Sequence, residues 1–346
     1  MLSASAFGID PQNQSAGLIE RLPLATLYLT DRCNSRCVTC DYWRHGKDDL
    51  TVADVQRLLP ALRQLKTEVV LLSGGEPLMN SAWQEIAQML RAQGFKVWLL
   101  TSGLSLVKNA RAASLLLDAI TVSLDGTDPD SYRAIRGLDA FDNVCDGIKA
   151  VAALGLPPSV RVTVQRSNYR QLPDFVALTR ELGARQVSFL AVDVANPHAF
   201  GRNEAFSDGL TLSLEDLNEF DRILRAMEES CAVEFESGFI AESPAKLRRL
   251  YHYFSAIQGR GGYPQVHCNA PEFSAVIGAT GKVQPCFFIT GPGNGQLHDG
   301  NLASVLNSRA MIDLRAGIRE GKQPECKTCV CSLWRNLDRI EGSILR

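Results

Sequence analysis

The sequence predicts an α/β protein built on a parallel sheet, followed by a small cysteine-rich segment. Two observations carry that prediction. Short apolar, β-branched runs alternate with helical periodicity over roughly the first 195 residues, and most of the ten cysteines gather in two places far apart in the chain.

The runs, in order, are "LATLYLT" (24–30), "VVLLSGG" (69–75), "KVWLLTSG" (96–103), "AITVSLDG" (119–126), "SVRVTVQRS" (159–167) and "RQVSFLAVD" (185–193). Their near-continuous hydrophobicity fits strands buried on both faces. Between them, Val52, Val55, Leu59, Leu62 and Leu65 recur at helical spacing after a Thr51 and Asp54 capping box. Trp83, Ile86, Ala87 and Leu90 repeat the stripe, as do Leu172, Phe175, Val176 and Leu182. Six strand–helix units in succession imply right-handed crossovers and a working face at the strand ends. Periodicity predicts an open sheet and a partial barrel equally. Beyond residue 195 the alternation stops: Ser213 and Asp216 cap one helix, and Ser243 with Pro244 opens another. From 262 onward Gly, Pro and Cys dominate. The expected division is an N-terminal extension (1–23), a core (24–195), a helical bridge (196–260) and a cysteine-rich domain (261–346).

Composition excludes some classes. A net charge of −2 gives no general affinity for nucleic acid or anionic membranes. No apolar run approaches the ~20 residues that span a bilayer. The N-terminus lacks a basic start and apolar h-region, so a cytoplasmic chain is expected. In a reducing compartment clustered thiols bind metal or do chemistry rather than pair. Cys145 and Cys231 stand alone and read as small buried hydrophobes.

"CNSRCVTC" places Cys33, Cys37 and Cys40 directly after the first strand. Three thiolates are one short of a closed site. They suit three corners of an iron–sulfur cube with one iron open, or a structural zinc site completed from elsewhere. With "SGGEP" (73–77) ending the second strand and "VSLDG" (122–126) the fourth, the chain resembles the radical S-adenosylmethionine (radical SAM) superfamily. The resemblance implies a partial (β/α)6 TIM-like barrel. It also implies a 4Fe–4S cluster on Cys33, Cys37 and Cys40 whose open iron binds SAM. An electron from such a cluster, delivered by a flavodoxin or ferredoxin, cleaves SAM to a 5′-deoxyadenosyl radical that abstracts a substrate hydrogen. By the same resemblance Gly74, Gly75, Glu76 and Pro77 match the methionine-binding motif. Ser123 and Asp125 match a polar site near the SAM ribose, and Arg133 and Arg136 an arginine-bearing segment. Relatives usually carry an aromatic residue just before the third cysteine; Thr39 stands there, leaving Tyr42 or Trp43 for the adenine.

Cys268 and Cys286 flank Gly281, and "CKTCVC" follows with Cys326, Cys329 and Cys331. This resembles the SPASM/Twitch extension and implies one auxiliary 4Fe–4S cluster on Cys268, Cys286, Cys326 and Cys329, with Cys331 able to replace either of the last two. A zinc knuckle on the same thiols is the alternative. His267 and His298 read as surface histidines, and "GPGNGQ" (291–296) as a connection rather than a phosphate loop.

Three functions are weighed. The first is radical chemistry on a small polar metabolite (aminosugar, cyclitol or nucleoside intermediate) by dehydrogenation, decarboxylation or epimerisation. The second is peptide maturation, disfavoured by the 23 residues before the first strand. The third is a non-catalytic zinc-stabilised module, which leaves the ordered motifs unexplained. Gln165, Arg166 and Asp193 are positional candidates for substrate contact.

Overall fold

The computed structural model describes residues 17–197, 199–202, 209–289, 295–297 and 301–335. In chain order the core runs β1 (Leu24–Thr30), α1 (Tyr42–His45), α2 (Val52–Gln64), β2 (Val69–Gly74), α3 (Trp83–Ala92), β3 (Lys96–Thr101), α4 (Leu106–Leu116) and β4 (Ala119–Ser123). It continues through α5 (Pro129–Arg136), α6 (Phe141–Ala153), β5 (Ser159–Val164), α7 (Leu172–Glu181) and β6 (Gln186–Ala191). Then come α8 (Leu214–Ser230), α9 (Ala232–Glu236), α10 (Pro244–Ile257), α11 (Ala270–Phe273), β7 (Ser274–Ile277), β8 (Lys282–Gln284) and β9 (Gly295–Gln296). Helices α12 (Leu302–Leu306), α13 (Arg309–Arg319) and α14 (Pro324–Lys327) close the described chain.

Among the described residues nine strands form one sheet in the order β6-β5-β4-β3-β2-β1-β7-β8-β9. Strands β1 to β6 are parallel neighbours in sequence order, and β7 adds to the free side of β1, also parallel. The sheet curls as a partial barrel because each βα unit winds in the same hand. Among the described residues its β6 edge pairs with no further strand; residues 239–241 cover it, Val187 N–H donating to Phe239 O and Ala241 N–H to Val187 O.

The predicted caps form: Thr51 with Asp54 on α2, Ser213 with Asp216 on α8, and Ser243 before Pro244 on α10. Buried Val, Leu and Ile side chains fill the space between strands and helices. On β4 and β5 only alternate residues are buried. Val160, Val162 and Val164 are fully covered, while Ser159, Arg161 and Thr163 are half-exposed. The inner face there is polar and open, not packed as continuous hydrophobicity predicts. Cys145 and Cys231 are buried in the apolar core, as their isolation predicts.

Candidate active site

The cysteine loop that leaves β1 is braced from three sides. Strand β2 ends against it: Gly75 N–H donates to Thr30 O and Glu76 N–H to Arg32 O, both at 2.8 Å. A Cβ on Gly75 would sit 2.2 Å from Arg32 O, and one on Gly74 (φ 119°) 2.1 Å from Thr30 O. Only glycine permits that approach. From a second side Arg32 forms a bidentate pair with Asp49 (3.0 and 2.6 Å) and donates to Met79 O. Buried Asn80 ties Leu29 O to Leu50 O. The third brace is α5, whose last carbonyls accept from the loop: Arg36 N–H to Arg136 O and Val38 N–H to Ile135 O, both 3.0 Å.

Arg136 is 8% exposed and reaches one of the thiols. Its Nη1 lies 3.4 Å from Cys37 Sγ, and its Nη2 2.8 Å from Asp125 Oδ2. Asp125 in turn accepts from Thr163 N–H at 2.7 Å. Burial alone would lower the Arg136 pKa; Asp125 and Cys37 hold it above its ordinary value, so it stays charged. Burial pushes the Cys33 and Cys40 thiols up to about 12. Deprotonating them is work that iron binding supplies.

The predicted residues separate by position. Glu76 is fully buried and its carboxylate is committed inward, accepting from Thr101 Oγ1, Ser102 N–H, Ser102 Oγ and Leu78 N–H. It is a strut between β2 and β3, and its motif faces the loop with backbone. Pro77 opens the short turn that follows. Asp125 is similarly committed to Arg136 and Thr163, while Ser123 stands on the open inner face. Arg133 is exposed and pairs with Asp130. Tyr42 packs edge-on to Tyr28 at 6.0 Å, whereas Trp43 carries Arg44 over its ring. Arg166 is an exposed partner of Asp216. Asp193 is buried, accepts Ala195 N–H and Asn196 N–H through Oδ1, and faces Arg202 at 3.7 Å.

The second set of thiols converges. Cys268, Cys286, Cys326, Cys329 and Cys331 line one apolar cavity against Leu24 and the inner face of β1. Burial raises Cys286 and Cys326 to about 12. In three places a backbone N–H two residues on points at the sulfur at 3.4 Å: Ser35 to Cys33, Ala270 to Cys268, Phe288 to Cys286. Among the described residues no three metal-binding side chains converge on a single ion. A cube takes one thiolate per iron and spreads them, so soft donors in apolar surroundings fit a cluster. His267 is exposed and stacks on Trp334 at 4.0 Å. His298 and residues 291–294 lie outside the described residues, while Gly295–Gln296 pair with β8.

One bridge has no sequence signal. Phe200 O accepts Asp41 N–H and the Cys40 thiol (3.3 Å), and the Phe200 ring packs edge-on to Phe288 at 5.5 Å. Tyr28 likewise contacts both Tyr42 and Phe287. The two thiol sets are thus joined through aromatic residues. Phe200 lies in an irregular stretch where periodicity says nothing.

The Radical SAM superfamily profile matches residues 27–179, and the SPASM profile, an iron-sulfur cluster-binding domain, matches 268–330. A protein of Methanothermobacter thermautotrophicus named probable GTP 3′,8-cyclase is 31% identical over 164 residues, covering 46% of this chain and 54% of that one. One of the same name from Saccharolobus solfataricus is 31% identical over 167 residues, covering 47% and 54%. The chain spans about half the length of these curated relatives. Among solved structures, Streptococcus suis SuiB bound to S-adenosylmethionine aligns with TM-score 0.66 at 14% identity, covering 92% of this chain and 74% of that one. Native anSMEcpe with bound AdoMet and Cp18Cys peptide aligns at 0.64 and 16%, covering 90% and 88%. These are likenesses of fold. Among the described residues no helix is long and apolar enough to cross a membrane. A 4Fe–4S cluster, SAM and an auxiliary iron–sulfur cluster are the cofactors of such a chain. The chain carries a radical SAM domain and, C-terminal to it, a SPASM iron–sulfur domain.

Proposed function

We propose that the protein abstracts a hydrogen atom from a small polar metabolite, with Cys33, Cys37 and Cys40 holding the SAM cluster. Cys268, Cys286, Cys326 and Cys329 hold the auxiliary one. When bound, the reduced SAM cluster supplies the electron that cleaves SAM. The chain's residues do the rest. Gly74 and Gly75 present backbone to the methionine end, Arg136 orients Cys37, and Tyr42 offers a ring to the adenine. The electron donor is a flavodoxin or ferredoxin.

The observation that carries the metabolite reading is the half-exposed polar inner face of β4 and β5, which suits a small hydrogen-bonding ligand rather than an apolar one. The relatives named GTP 3′,8-cyclase support it. Peptide modification is the competing reading, since SuiB is also known bound to its precursor peptide SuiA.

Anaerobic reconstitution tests both cofactor assignments. About eight irons per chain are expected, two cubes of four, together with 5′-deoxyadenosine on adding SAM and reductant. Replacing Cys33, Cys37 and Cys40 together by alanine abolishes that product. About four irons in the unaltered protein removes the auxiliary ligand set, and undiminished product in the triple variant removes the SAM cluster.

A further inference from the structure

The inner face of β5 carries polar groups that the fold leaves without partners. Gln165, one residue past the strand, is fully buried, yet neither its Nε2 nor its Oε1 has a hydrogen bond among the described residues. Its backbone N–H is held by Asn168 Oδ1 at 2.8 Å, so the residue is fixed while its amide is not engaged. Arg161 Nε is likewise buried and unpartnered, and no carboxylate pairs with this guanidinium among the described residues. Nearby carboxylates are committed: Asp125 to Arg136 and Thr163, and Glu242 to Ser188 Oγ and Phe189 N–H.

Alternation fixes the direction on the strand: Val160, Val162 and Val164 face the helices, so Arg161 and Thr163 face the barrel interior, and Gln165 stands at the end of that strand, where the chain turns. Register places Arg161 between Ser123 on β4 and Ser188 on β6, in one row. An unpaired buried amide costs about 1–3 kcal/mol, and an apolar side chain of that shape would avoid the cost. Buried orphans of this kind call for an explanation; a ligand supplies one.

We propose that this face is the substrate wall, Gln165 gripping a polar group that both donates and accepts hydrogen bonds and Arg161 holding a carboxylate or phosphate of the same molecule. The proposal rests on the metabolite reading and names its substrate class. Four residue steps separate Arg161 from Gln165, at most about 13 Å, which suits an anionic sugar, nucleotide or amino-acid derivative and exceeds any simple ion. The wall also reaches the first thiol set: Asp125 accepts from Thr163 N–H and pairs with Arg136, which lies against Cys37.

The test uses the reconstituted full chain with SAM and three probe pairs: glucose 6-phosphate with glucose, guanosine 5′-triphosphate with guanosine, and glutamate with glutamine. At least one anionic probe is expected to bind about tenfold or more tightly than its neutral partner. The pair that responds tells phosphate from carboxylate. Arg161→Gln erases the preference and Arg161→Lys retains most of it. Gln165→Leu weakens both members of the responding pair about fivefold or more without lowering the melting temperature, because it removes an unsatisfied buried amide. The proposal is overturned by the absence of any charge preference, by its survival in Arg161→Gln, or by a lower melting temperature in Gln165→Leu. Loss of iron in Arg161→Gln with the preference kept also overturns it, and makes the guanidinium a partner of the auxiliary cluster. If the unaltered protein forms no 5′-deoxyadenosine, the radical SAM assignment fails; if it does while the probes bind indifferently, only the substrate wall fails.

Discussion

Around Cys33, Cys37 and Cys40 the backbone is tied to β2, to the segment before α2 and to the end of α5, each through buried or bidentate hydrogen bonds. Around Cys268, Cys286 and the 326–331 thiols the described ties join short C-terminal segments to one another. Asn269 exchanges bonds with Leu333 and Arg335, and exposed Ser332 joins His267. A small separate cluster built on Ala270 and Phe273 is the local core. The expectation is that the N-terminal site, tied to the barrel, keeps its shape without iron, and that the C-terminal site leans on iron more heavily. A reaction that begins at the first cluster gains from a loop whose geometry does not depend on its cargo.

Stripping the iron breaks or upholds that contrast most directly. In the chelated protein, hydrogen exchange in 264–289 and 324–335 is expected to speed up about tenfold or more, while 29–50 changes little. Cys286→Ala should reproduce the C-terminal effect alone, with about four irons retained. Equal loosening of both regions would remove the distinction.

Glycine substitutions give the next largest difference. Gly75→Ala drives a methyl into Arg32 O, backbone against backbone, and is expected to cost about 3 kcal/mol and reduce iron uptake at the first site. Gly281 (φ 80°) sits in the turn between β7 and β8, and Gly281→Ala is expected to cost the left-handed penalty, about 1 kcal/mol. Denaturant titration of the two variants measures both. Similar costs would mean that the turn is as tightly enclosed as the loop.

Both glycines could be singled out from sequence, because a strand end and a ligand spacing marked them. The caps at Thr51, Ser213 and Ser243 were legible for the same reason: each is local. Strand ends were less so. "AITVSLDG" reads as strand to Gly126, yet β4 stops at Ser123. Asp125 turns to meet Arg136, and Gly126 lies so close to α5 that a Cβ would be 2.2 Å from Tyr132 N. That packing joins residues far apart in sequence, and no local pattern encodes it. The inward commitment of Glu76 and the Phe200 bridge were hidden likewise: a carboxylate in a motif looks the same whether it faces a ligand or braces two strands.

The smallest expected effect concerns Arg136, a positioning residue that gives the first site a buried cation against its thiol. The described thiols of the second site have no guanidinium hydrogen bond of this kind. A cationic N–H stabilises the more negative, reduced cluster over the oxidised one. Arg136→Gln, which keeps the backbone carbonyl that holds Arg36, should therefore lower the midpoint potential of the first cluster. A differential of about 1 kcal/mol corresponds to roughly 40 mV for a one-electron couple. Redox titration by electron paramagnetic resonance, in the Cys286→Ala background that retains only the first cluster, reads the shift without reference to turnover. A matching shift of the auxiliary signal in the otherwise unaltered chain would show that Arg136 acts through general loosening. An unchanged potential with lowered iron content would make it a strut like Glu76, and leave the loop's bracing, rather than its charge, as what separates the two sites.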